Sequence, residues 1–87
     1  MDLKEKILSN LCYTPLVYDR INKKLKISLS NKDIEQLMRN CITSADEIIK
    51  RGKNYYAINV FMNIVVTINS NNYRVITASK KFATKFS

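Results

Sequence analysis

A chain of 87 residues whose apolar side chains recur at helical spacing as far as Gly52, and at a spacing of two beyond it, is expected to fold as an α+β domain. Three or four N-terminal helices should pack on one face of a C-terminal three-stranded antiparallel β-meander. A hydrophobic content of 46% supplies a small core, and a single glycine and a single proline argue for regular structure nearly throughout. Residues 1–79 are read as one domain, and residues 80–87 as a basic tail or short helix.

Leu3, Ile7, Leu8 and Leu11 mark a first helix running from Asp2 to about Cys12. Thr14 before Pro15 suits the start of a second, ending near Lys26, because the hydroxyl can cap a free N–H and proline lacks one at the first helical position. Leu16, Val17, Ile21 and Leu25 form its apolar stripe. Leu25, Ile27 and Leu29 alternate briefly before Ser30, which opens a capping sequence with Asp33. Ile34, Leu37, Met38, Cys41 and Ile42 then recur at i, i+3, i+4, i+7 and i+8, the strongest helical signal in the chain. Ser44 with Glu47 repeats the capping pattern. Either a short fourth helix carries Ile48 and Ile49 to Gly52, or the third helix continues.

Asn54 to Phe61, Ile64 to Ser70 and Tyr73 to Ala78 are rich in Tyr, Ile, Val and Thr and read as strands, joined by two-residue turns at Met62-Asn63 and Asn71-Asn72. That register sets Ile68 against Val75 and Val66 against Thr77, with Ile64, Val66, Ile68 and Val75 on the core face. On the other face Asn69 would oppose Arg74 and Thr67 would oppose Ile76, with Tyr56 nearby. The first strand is expected at a sheet edge, where a second copy could pair to give a homodimer.

Lys and Arg number 15 against 7 Asp and Glu, a net charge of +8 that is unevenly divided. Residues 1–47 hold eight basic and seven acidic side chains, whereas residues 48–87 hold seven basic and no acidic ones. In the helical half Asp2 with Lys6, Asp19 with Lys23, and Glu35 with Arg39 fall at i,i+4, so a salt-bridged surface accounts for the charge there. Lys50, Arg51, Lys53, Arg74, Lys80, Lys81 and Lys85 repel one another across a small sheet unless an anionic partner or solvent screens them. Tyr55, Tyr56 and Tyr73 interleave with these cations, as residues do where bases stack and phosphates are neutralised. Two of the three are expected to be packing residues and one to be exposed for recognition.

Several chemistries lack their residues. Histidine is absent, which removes the usual general base and the commonest metal ligand. Gly52 alone cannot build a phosphate-cradling loop. Cys12 and Cys41 stand far apart without a CxxC pair, as reduced thiols would, so neither metal nor cofactor is expected. The pairs Asp33/Glu35 and Asp46/Glu47 fall in the first turns of expected helices, where carboxylates cap. No segment approaches the roughly 20 apolar residues that span a bilayer, so a membrane role is not expected and the cytoplasm is the default compartment.

The expected function is that of a non-enzymatic module engaging nucleic acid or another polyanion through its C-terminal sheet, with Lys53, Tyr56, Asn69, Arg74, Lys80 and Lys81 as contacts. An enzymatic alternative is a sheet-based endoribonuclease toxin using Tyr55, Tyr56, Arg74, Lys80 and Lys81, with positive charge stabilising the phosphorane.

The blocks Leu11-Cys12-Tyr13-Thr14, Leu16-Val17-Tyr18 and Arg20-Ile21-Asn22-Lys23-Lys24-Leu25, followed by Gly52-Lys53-Asn54-Tyr55-Tyr56, Thr67-Ile68-Asn69-Ser70 and Arg74-Val75-Ile76-Thr77-Ala78, carry a further signal. Over about residues 7–78 the chain resembles an uncharacterised family of small proteins from Firmicutes and their mobile elements. The resemblance implies one compact unit and a prophage or mobile-element origin. With that origin comes a second functional expectation: an inhibitor that docks on a host defence nucleoprotein, such as an anti-CRISPR or similar anti-defence protein.

Overall fold

The structure, a computed structural model, describes residues 2–81. Three helices, α1 (Leu3–Asn10), α2 (Val17–Leu25) and α3 (Asn31–Thr43), precede four strands, β1 (Glu47–Arg51), β2 (Asn54–Asn59), β3 (Ile64–Asn69) and β4 (Val75–Lys80). The strands form one antiparallel sheet in the order β1-β2-β3-β4.

Local chemistry sets the helix ends. Asp2 accepts from the Glu5 N–H at 2.8 Å while its own N–H donates to Glu5 Oε1, a reciprocal box at the start of α1. Ser30 accepts from the Asp33 N–H at 3.2 Å and opens α3 where the capping sequence predicts. Thr14 does not cap α2. It sits in a turn, its carbonyl accepting from the Val17 N–H, and α2 starts after Leu16 without a side-chain cap. The alternating stretch after α2 is a connector rather than a strand. Lys26 turns into the left-handed region (φ 59°), and the Asn22 carboxamide both accepts from the Leu29 N–H and donates to the Leu29 carbonyl.

One helical face and one sheet face make the core. Val17, Ile21 and Leu25 of α2 and Ile34, Met38, Cys41 and Ile42 of α3 are buried against Ala57, Val66, Ile68, Val75 and Ala78. Each fully buried isoleucine contributes on the order of 2 kcal/mol. The core-face assignment of Ile64, Val66, Ile68 and Val75 is correct, since all four are buried.

Several expectations change. The sheet has four strands, not three, because Glu47–Arg51 forms β1 in place of a fourth helix. The Ser44 and Asp46 side chains, which would have capped that helix, serve the β2–β3 region instead. Ser44 Oγ accepts from Asn59 Nδ2 at 2.9 Å and Asp46 Oδ2 from the Val60 N–H at 2.7 Å. With its cap diverted, the β-branched pair Ile48-Ile49 follows its extended preference and pairs with Ala57 and Tyr56. The strand at Asn54 is therefore interior, and β1 is the edge. Gly52, at φ +63°, is not a helix terminus but the first of two residues in the β1–β2 turn, as a type II′ turn needs.

Both later turns are four-residue loops rather than two-residue ones. Asn59 accepts from the Met62 N–H and Asn69 from the N–H groups of Asn71 and Asn72. Each loop closes with a left-handed residue, Asn63 (φ 59°) and Tyr73 (φ 57°). Ile68 opposes Val75 and Asn69 opposes Arg74 as expected. A bulge then slips the register, so that Val66 faces Ala78 and Thr67 faces Thr77. Lys80 is the last residue of β4, not the start of a tail. The tail or short helix expected beyond Lys81 lies outside the described residues.

α2 and α3 are tied through aromatic groups. Tyr18 donates to Glu35 Oε2 at 2.6 Å, and its ring stacks on Tyr13 with centroids 5.7 Å apart. The hydrogen bond to Glu35 is the main reason the Tyr18 phenol is pushed up to about 12, and burial does the same to Tyr13. Both titrate near pH 10 when unfolded. Their stabilisation is thus complete below pH 10 and is lost as pH rises toward 12. Urea unfolding midpoints should fall over that interval, and the fall should be shallower for Tyr18→Phe.

Candidate nucleic-acid interface

The sheet face opposite the helices carries a second set of side chains. Ile49 of β1, Tyr56 and Ile58 of β2, and Val65 of β3 are half-buried yet stand outside the core cluster. With Arg51 they line a shallow depression of about 380 Å³. The described helices pack chiefly on β2, β3 and β4 through core-face residues such as Ala57, Val66 and Ala78. Tyr56 pairs with Ile49 on one side and Thr67 on the other, which places its ring at an interior position of this face. Tyr55 and Tyr73 instead pack against the core, their rings stacked with centroids 6.5 Å apart. Two tyrosines pack on the core as expected, whereas the third, Tyr56, is half-buried on the other face rather than exposed.

One end of the sheet is built from its two turns. Backbone pairing aligns Arg51 with Asn54, Asn54 with Asn69, and Asn69 with Arg74, a cross-strand row spanning about 14 Å at the usual strand spacing. The Ser70 N–H donates to the Lys53 carbonyl at 2.8 Å and holds the two turns together. Lys53, Asn69 and Arg74 are therefore neighbours, as expected of a shared site. Asn69 is also structural, because its Oδ1 is committed to the hairpin. Lys80 and Lys81 are elsewhere. Lys80 pairs with Ile64 at the opposite end of β3, about 17 Å along the strand from Asn69. The six expected contacts thus divide into an Arg/Lys end with Tyr56 beside it, and a distal lysine pair.

The arginines of the two halves are used differently. Lys4 Nζ donates to the carbonyls of Thr43 and Ala45, at the C-terminus of α3. Arg39 donates to the Leu8 carbonyl and Arg20 to that of Ile76. These are clips between elements. Glu35 and Arg39, expected to pair with each other, are each engaged elsewhere, and the Asp46 carboxylate holds a loop. By contrast, among the described residues the side chains of Arg51 and Arg74 have no hydrogen-bond or ion-pair partner; nor have Lys50 and Lys53, a condition they share with Lys6, Lys23, Lys24, Lys26 and Lys32 of the helical half, so the expected Asp2–Lys6 and Asp19–Lys23 pairs do not form.

Arg51, Asn54 and Arg20 join the site, although none of them is among the contacts expected from the sequence. Arg51 falls into the row through the β1–β2 turn. Arg20 arrives because α2 packs along β4, where it lines a groove of about 170 Å³ with Arg74, Leu16 and Ile76. Its position in the salt-bridge-spaced half masked it. The residues of the ribonuclease reading do not converge, with Tyr55 on the core side, Tyr56 on the other face and Lys80 at the far end. The thiols also differ: Cys12 is exposed, whereas burial pushes Cys41 up to about 11.

Together these features define a small α+β domain with helices on one sheet face and a tyrosine on the other, beside a cationic end. Among the described residues no helix is long and apolar enough to cross a membrane. The family described as "Protein of unknown function (DUF3781)" matches residues 5–79, and the chain belongs to that family. No curated protein and no solved structure matches it.

Proposed function

We propose that this protein is a non-enzymatic module that binds single-stranded nucleic acid across the sheet face opposite its helices. Tyr56 stacks on a base, while Arg51, Lys53 and Arg74 neutralise phosphates at the turn end. The observation that carries the reading is the placement of Tyr56 on the face away from the core, beside a row of arginine and asparagine side chains whose guanidinium groups have no internal partner. Duplex offers no exposed base face to Tyr56, so a single strand should be preferred over a duplex of equal length. Phosphate contacts add no sequence information, so preference among sequences should be weak. Lys80 takes no part in this surface, because it shares the helix-side face with Ile64, in a groove with Leu25, Ile27 and Leu37.

Fluorescence anisotropy with labelled single-stranded RNA, single-stranded DNA and duplex at two ionic strengths tests this. Three neutralised phosphates predict a slope of about −2 in log affinity against log salt for a single strand. Binding that favours duplex, or that is insensitive to salt, would overturn the proposal.

A further inference from the structure

We propose that β1 is the contact between two copies of this chain, which join antiparallel so that their sheets continue as one eight-stranded surface. β1 is the outermost strand, paired on one side with β2. An outermost strand turns every second N–H and C=O away from its sheet and can receive another strand there. The opposite edge is already occupied at its start. Cys12 accepts from the Val75 N–H and donates to the Tyr73 carbonyl, and α2 packs along β4.

Read against its own reverse, the β1 sequence Glu47-Ile48-Ile49-Lys50-Arg51 sets opposite charges together at its ends and isoleucine against itself at its centre, with Ile48 opposite Lys50 between them. Two copies related by a two-fold axis normal to the sheet must oppose residues of the same face, so only registers differing by whole pleats are allowed. Centring on Ile49 pairs all five residues. It sets Glu47 of each copy opposite Arg51 of the other, and Ile49 opposite itself. Centring on Lys50 would put two lysines face to face, and centring on Ile48 would leave Arg51 unpaired and set Glu47 against Ile49. Facing opposite charges attract and facing like charges repel, so both charge and length select the Ile49 register. Ile49 lies in the apolar depression with Tyr56, Ile58 and Val65. The second copy's Ile49 would extend that depression across the join.

Sedimentation equilibrium of the full chain without nucleic acid reads the result. The wild type should reach a dimer. Glu47→Arg and Arg51→Glu should each weaken it by at least about tenfold, and the double variant should restore it. Within one chain these residues are four apart on the same strand and do not face each other, so restoration reports contact between copies. Both are exposed, so the variants should keep the wild-type circular dichroism. As a second measurement, Ile49→Cys in a Cys12→Ser background should form a disulfide-linked dimer on oxidation, and Ile58→Cys in the same background should not. A wild type that stays monomeric at every concentration overturns the inference, as does a double variant no more dimeric than the single ones. Neither readout involves nucleic acid, so the two proposals are tested separately, although both use Arg51, which in the dimer would face Glu47 of the second copy as well as phosphate.

Discussion

Tyr56→Ala is expected to lower affinity for a short single strand by about 10- to 100-fold, the loss that follows when one aromatic platform under one base is removed. Tyr56→Phe should keep most of the affinity, because stacking uses the ring and not the hydroxyl. Stability should change far less than for a core truncation, because Tyr56 stands outside the core cluster. Arg51→Ala and Arg74→Ala should act differently. Each removes a charge and no platform, so each should weaken binding to all sequences alike and make the salt slope shallower by about one phosphate's share. Titrations at two ionic strengths separate the two kinds of loss. If Tyr56→Ala changed only the salt slope, the stacking role would be wrong.

Asn59→Leu is expected to destabilise the fold by about 3 kcal/mol, which for a domain of this size lowers the midpoint by about 15 °C. Asn59 is buried, at 1% exposure, and its carboxamide works on both sides. Nδ2 donates to the Cys41 carbonyl at 3.1 Å and to Ser44 Oγ at 2.9 Å, and Oδ1 accepts from the Met62 N–H at 2.9 Å. Leucine is close in size but leaves those groups without their partners, the buried Cys41 carbonyl above all. The end of α3 and the β2–β3 loop would loosen together. Asn10→Ala offers the contrast. Its carboxamide bonds only to the Lys6 carbonyl at an exposed helix end, and its loss should stay within about 0.5 kcal/mol. Thermal melts followed by circular dichroism measure both.

How far each feature could be read in the residues depends on how local its cause is. α3 is legible because its stripe and its Ser30 cap lie within 13 residues and depend on nothing distant. The Ile68–Val75 and Asn69–Arg74 pairings are legible because a short connection leaves few registers. β1 is not legible. Ser44 and Glu47 have helix-start spacing, and only Asn59 and Val60, on another element, draw the Ser44 and Asp46 side chains away. The slip after Ile68 is equally hidden, since a bulge costs one residue and leaves no clear mark in alternation.

The candidate site follows the same division. Composition alone places the surplus of positive charge after Glu47, and alternation alone separates Tyr56 from Tyr55. Which cations share a surface is a matter of strand order and turn placement. Lys53 lies at the same end of the sheet as Arg74 because two turns lie there and share a hydrogen bond, whereas Lys80 is carried to the other end by the full length of β4. Arg20 reaches the site only because α2 lies along that strand. Periodicity, capping and charge balance are written within a few neighbouring residues, and so the chain alone determines them. The edge of the sheet and the grouping of its cations depend on contacts between distant segments, which only the folded molecule decides.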